Sequence, residues 1–270
     1  MSDYTISVKQ IRKLRLARRL VPFIGAGLGK NLGLPDWGDL TELLAAELDL
    51  SPREFDLKGD FLQLAEYYQI VKGDLQEFRR KMRRFLHPPD EAILDSDIYS
   101  NLVALNFPTI YTTNFDDIIE RAFALRSRPC HAISDMQDLI DAPLDVTHVV
   151  KIHGTYNTDS ALVLTESQFF DRMEFESAID IKFKHDLLSH AFLFLGYSFR
   201  DINIRYRIYE MMKYKRQVCH GLAECPTAIF VDFNIGPVRR RVLANRGIPV
   251  VELADDDRGA RVAEFLAALR

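Results

Sequence analysis

The sequence predicts an α/β fold, a mainly parallel sheet with helices on both faces and a helical insertion. Three observations carry this expectation. Apolar runs of strand length recur at residues 21–24, 109–112, 146–152, 161–164, 191–195, 227–232 and 248–251, each short enough for a buried strand. Helical patterns lie between most of them, and such alternation favours parallel strands covered on both sides. The first run breaks into Gly25-Ala26-Gly27, with Gly29 close behind. Glycines there let the backbone turn sharply and approach a bound group, because no Cβ intervenes. A helix after them would offer free N–H groups to an anion, and a pyrophosphate is the usual occupant of such a Rossmann-like junction. The third glycine of the dinucleotide fingerprint is replaced by Lys30, so the stretch also reads as a tight turn leaving a strand.

Composition narrows the class. A chain of 270 residues, 47% apolar, suits one domain over 1–270 with an insertion at about 52–95. The formal net charge of −4 gives no reason to expect direct nucleic-acid binding. Cys130, Cys219 and Cys225 cannot form a disulfide framework and lack the paired Cys-x-x-Cys spacing of a zinc site. They read as reduced thiols of a cytoplasmic protein with no metal. Neither a signal core nor an apolar run of about 20 residues is present, so no membrane attachment is expected.

In chain order, residues 7–19 form an amphipathic pattern capped by Ser7, with Val8, Ile11 and Leu14 on one face. After the glycines, Asp36 and Asp39 precede Leu40, Leu43, Leu44 and Leu48, where carboxylates suit a helix start. Residues 52–89 are helical throughout. They carry the basic run Arg79-Arg80-Lys81-Met82-Arg83-Arg84, a solvated helix face beside apolar positions. A helix through Ile98, Leu102 and Leu105 leads to the strand at 109–112, and Ile118 to Ala124 is again helical. The stretch from Ile202 to Met212 and a final amphipathic helix with Val262, Phe265, Leu266 and Leu269 complete the pattern. No separate sensor domain is expected.

Polar clusters recur where strands end: Gly25-Ala26-Gly27, Thr113-Asn114-Phe115-Asp116, Lys151-Ile152-His153-Gly154, and Gly196-Tyr197-Ser198-Phe199-Arg200-Asp201. Ligands of open parallel sheets bind at such carboxyl ends. Each cluster has a plainer alternative. Asn114 and Asp116 could cap the next helix, His153 could be a satisfied core histidine, and Gly196 and Ser198 could be turn and cap residues.

Taken together and in this order, Gly25-Ala26-Gly27 with Pro35-Asp36, Thr113 to Asp116, Lys151 to Gly154 and Gly196 to Ser198 resemble the sirtuin-like fold. They resemble in particular its bacterial NAD-hydrolysing branch associated with antiphage defence, over about residues 15–252. The resemblance implies NAD+ as substrate, with Gly25, Ala26 and Gly27 along the pyrophosphate. It implies that Asn114, with Thr113 and Asp116, holds the nicotinamide ribose and any attacking water, and that His153 is the catalytic base or a ribose-orienting group. Asp36 belongs to the same cofactor-binding set. Gly196 and Ser198 would hold the adenosine half, and Asp232, ending a late strand, would lie near its ribose. Protein-deacylating sirtuins carry two Cys-x-x-Cys pairs, which this sequence lacks. Water is therefore the expected acceptor, with deacylation, ADP-ribosyl transfer or a non-catalytic NAD-sensing role as alternatives. The resemblance further implies a homo-oligomer, with a separately encoded ATPase of the HerA-like translocase type as a possible partner.

Overall fold

The structure, a computed structural model, describes residues 6–35, 37–51, 61–157, 162–172, 177–198, 201–218 and 227–270. Asp36, Cys219 and Cys225 lie outside them. The described strands are β1 (Leu20–Ile24), β2 (Thr109–Thr112), β3 (Cys130–Ile133), β4 (Thr147–Lys151), β5 (Ala191–Leu195), β6 (Ala228–Phe233) and β7 (Val250–Leu253). They form one sheet in the order β3-β4-β2-β1-β5-β6-β7, and every neighbouring pair is parallel. The sheet is thus wholly parallel among the described strands.

Around it run α1 (Val8–Leu16), α2 (Trp37–Glu47), α3 (Phe61–Lys72), α4 (Gln76–Phe85), α5 (Asp90–Leu94), α6 (Asp97–Ala104) and α7 (Ile118–Ala124). They are followed by α8 (Met136–Ile140), α9 (Glu166–Asp171), α10 (Ala178–Ser189), α11 (Ile202–Val218), α12 (Pro237–Asn245) and α13 (Arg258–Ala268). The first of these has the expected start: Ser7 and Gln10 exchange side-chain and backbone bonds in a capping box.

Alternation along the strands assigns the two faces, because successive side chains of a strand point oppositely. In β5, Ala191, Leu193 and Leu195 enter a core with Ile11 of α1, Tyr99 and Leu102 of α6, Ile119 of α7 and Leu266 of α13. Phe192 and Phe194 face the other way, toward Phe183 of α10, Ile204 and Ile208 of α11 and Leu243 of α12. The second face is aromatic, with Phe194 stacked on Phe23 and on Phe230 at 4.7 Å between ring centroids in each case. Burial on both sides is why these strands read as continuous apolar runs.

A third cluster belongs to the helices before α5. Leu40 and Leu44 of α2, Leu64 and Tyr68 of α3, and Phe78 and Met82 of α4 close on Phe115, Tyr156, Leu162 and Leu164. Phe115 and Tyr156 belong to the loops beyond β2 and β4, so α2–α4 stand over the carboxyl-end rim of the sheet. Ile93 of α5 packs instead in the α6–α7 core. Arg80, Arg83 and Arg84 of α4 are exposed, and Lys81 pairs with Glu47 of α2.

The structure departs from the sequence pattern at three places. The residues after Gly25 form a 3-10 helix (Ala26–Leu32), which stops at Gly33 with φ +73°; Asn31 and Gly33 leave too little helix-forming sequence for an α-helix. The run at 161–164 is not a strand over its described part. Val163 N–H donates to the His153 carbonyl at 3.0 Å, while Leu162 and Leu164 bury in the third cluster, so it is core lining rather than sheet. Conversely, β3 gave no signal, because this edge strand buries only Ile133 fully. Among the described residues, no helix is long and apolar enough to cross a membrane.

Candidate active site

Strand order sets the place of the crevice. From β1, the chain builds outward through β2 on one side and β5 on the other, and the carboxyl ends at such a reversal are where open α/β sheets bind ligands. There the two glycine loops meet. Gly25 N–H donates to the Leu195 carbonyl at 2.9 Å, and Gly27 N–H to the Gly196 carbonyl at 2.8 Å. A Cβ on Gly25 would stand 2.5 Å from the Gly196 oxygen and 2.7 Å from the Tyr197 Cα, and one on Gly27 2.7 Å from that same oxygen. The group that requires the missing Cβ atoms is therefore the neighbouring loop. Those two N–H groups are also consumed within the protein, and the outer face of this junction is formed by exposed Ala26.

Beyond β2, the Thr112 hydroxyl donates to the Ile24 carbonyl at 2.9 Å and accepts the Asn114 N–H at 2.9 Å. This bridge ties the Asn114 loop to the end of β1. Asn114 is half-buried. Thr113 beside it is likewise half-buried. Asp116 turns inward: it is 7% exposed, and its Oδ1 accepts the Ile118 N–H at 3.2 Å at the start of α7. Burial raises its carboxyl to about 6, against the opposing pull of Lys151. Lys151, itself buried, donates to the Asp116 carbonyl and pairs with Glu120 at 3.0 Å.

Register brings the ends of β2 and β4 side by side, and the loops that leave them carry Asn114 and His153. Thr112 pairs with Lys151 across β2 and β4, Ile152 N–H donates to the Thr112 carbonyl at 2.9 Å, and each polar residue follows two positions beyond that pair. His153 is buried, with Nε2 2.9 Å from Asp201 Oδ2. Its Nδ1 is buried with no hydrogen-bond partner. A satisfied core histidine would bond at both nitrogens, so the plainer alternative accounts for only half of this ring.

The sequence places Asp201 in the last of the strand-end polar clusters without a role, and Asn203 in none of them. Asp201 begins the approach to α11, and its Oδ1 accepts the N–H groups of Asn203 at 2.9 Å and Ile204 at 3.4 Å. Asn203 is 2% exposed, and both polar atoms of its amide are buried without a hydrogen-bond partner among the described residues. A polar residue one step into a helix that otherwise buries Ile204 and Ile208 was the available signal.

The remaining cofactor-binding residues do not all meet. Ser198 is exposed, and its carbonyl accepts from Arg239 at 2.9 Å. The same guanidinium pairs with Asp232 at 3.2 Å, so Arg239 joins the ends of β5 and β6 and occupies one side of the Asp232 carboxylate.

Residues 108–250, just over half of the chain, match the SIR2-like domain. The chain belongs to that family. It is 23% identical to Defense-associated sirtuin 2 of Bacillus subtilis over 92% of its own length and 24% of that protein's. It is 29% identical to the NAD(+) hydrolase ThsA of Acinetobacter baumannii, over 76% of this chain and 41% of that one. A solved Sir2 enzyme aligns over 100% of this chain and 98% of its own, with 14% identity and a TM-score of 0.48. The chain thus spans between about a quarter and two-fifths of the curated relatives' length.

Proposed function

We propose that this SIR2-like chain hydrolyses NAD+ to ADP-ribose and nicotinamide. The observation that carries the reading is His153 beyond the end of β4, its buried Nδ1 without a hydrogen-bond partner among the described residues, with Asn114 in the loop beyond the neighbouring end of β2. Relatives named NAD(+) hydrolase support it.

The chemistry asks for positioning more than for a strong nucleophile. The bond between the ribose C1′ and the nicotinamide nitrogen breaks, and its electron pair neutralises the pyridinium. Positive charge develops on the sugar, and a water oxygen bonds to C1′ on the opened face. The water gives up one proton to a base, the role assigned to His153. Asn114 orients the water and the ribose. Thr113 and Asp116 complete that loop, Asp116 acting from behind it. Gly25, Ala26 and Gly27 take the pyrophosphate side, Gly196, Ser198 and Asp232 the adenosine side, and Asp36 belongs to the same cofactor-binding set.

In the cell, the reading is depletion of NAD+ in antiphage defence, in the cytoplasm. A homo-oligomer, with a HerA-like translocase as partner, would restrain the activity. Exposed Met136 and Ile140 on α8, with Ile181 and Leu188 on the neighbouring α10, suit a surface that association covers. A fully active monomer in light scattering would refute that restraint.

The deciding experiment is nicotinamide release from NAD+ by the purified protein, beside Asn114→Ala and His153→Ala. Turnover is expected in the wild type and in neither variant, with folding intact. NAD+ binding measured on the same samples separates an idle enzyme from a protein without the site.

A further inference from the structure

His153 follows β4 and Asp201 follows β5, on opposite sides of β1 in the sheet. The bond between them, 2.9 Å from Nε2 to Oδ2, therefore joins loops whose strands have β2 and β1 between them. The carboxylate is held at both oxygens, Oδ1 accepting the Asn203 and Ile204 N–H groups that open α11. Burial pushes its titration up, but the bond and charge of His153, with those two N–H groups, outweigh burial and leave it below the ordinary carboxylate range. At neutral pH Asp201 is therefore an ionised group that only accepts hydrogen bonds.

We propose that Asp201 is the positioning residue of this site, fixing His153 with the proton on Nε2 and the lone pair on the unpartnered Nδ1. The inference rests on the reading of His153 as the base of NAD+ hydrolysis and extends it to the atom used. As the water oxygen bonds to C1′, its proton passes to Nδ1, and the resulting imidazolium lies against the Asp201 carboxylate. The same acid–histidine logic orients the base in unrelated hydrolases. A merely structural Asp201 would be a cap for α11.

Two substitutions separate these roles. Asparagine and serine cap helices about as well as aspartate, so Asp201→Asn and Asp201→Ser keep α11 in place. Serine is too short to reach His153, and asparagine carries no charge to hold the imidazolium. Both variants are expected to bind NAD+ within about threefold of the wild type while kcat falls by roughly 10²–10⁴. Turnover in both variants within about threefold of the wild type would overturn the proposal. An independent readout needs no substrate. Nitrogen-15 spectra of the histidine side chains at about pH 8, where imidazole is neutral, should show His153 protonated at Nε2, and Asp201→Ser should lose that preference. A wild-type ring protonated at Nδ1 would overturn the proposal too. If the wild type releases no nicotinamide, the hydrolysis reading fails alone, and the ring's protonation state decides the role of Asp201.

Discussion

Replacing Gly196 with alanine tests whether the two glycine loops are a close-packed junction. Gly196 has φ +61°, and an L-residue there costs about 1–2 kcal/mol. The new Cβ would stand 2.5 Å from Leu28 Cδ1 and 2.6 Å from the Leu28 nitrogen. The side-chain atom can rotate away. The nitrogen cannot, because Leu28 N–H is held by the Gly25 carbonyl at 3.2 Å, and relieving such an overlap costs a further ~1–3 kcal/mol. Together these make about 2–5 kcal/mol, and at roughly 2–4 °C per kcal/mol for a domain near this size the midpoint falls by ~4–20 °C. Gly33 supplies the control. It has φ +73° with nothing within 4 Å of its would-be Cβ, so Gly33→Ala carries the conformational cost without the overlap. Thermal unfolding followed by far-ultraviolet circular dichroism compares the two. A Gly196→Ala midpoint within about 2 °C of Gly33→Ala would refute the packing argument.

Other outcomes are equally specific. The folded-state carboxyl of Asp116 is raised from 3.8 to about 6, so its stability contribution is intact below pH ~4 and lost as pH rises through ~6, a change of about 3 kcal/mol. Asp116→Asn keeps the acceptor for Ile118 N–H and removes the charge, and urea titrations should find it gaining on the wild type from pH ~4.5 to ~7.5. An equal difference at both pH values would count against a buried carboxyl. The unpartnered amide of Asn203 costs about 1–3 kcal/mol in the folded state. Asn203→Leu, of similar volume, should therefore melt higher than the wild type, and a lower midpoint would mean that the amide is satisfied.

Much of the fold was legible because it follows from local pattern. The strands β1, β2 and β5 are apolar runs buried on both faces, and nothing outside those residues is needed to see them. The same holds for Ser7 with Gln10, whose capping box is a matter of three-residue spacing. Asn114 and His153 were visible as polar residues following apolar runs. That they follow neighbouring strands was not visible there, and the Thr112–Lys151 register supplied it. The outer strand β3 was silent, since an edge strand that buries one residue fully needs no apolar run. Residues 162–164 misled for the opposite reason: burial in a helical cluster and burial in a sheet select the same side chains.

By itself, then, the sequence determined the alternating α/β architecture and the polar residues at the strand ends, because both are set by side chains within a few positions of one another. Three features depended on tertiary structure. The glycines of Gly25-Ala26-Gly27 are needed by Gly196 and Tyr197, far away in the chain. Asp116 faces inward although its neighbour Asn114 does not. His153 is held by Asp201, 48 residues later. Each depends on which strand lies beside which, and a hydrogen bond or a steric overlap acts over a few ångströms of space whatever the distance along the chain.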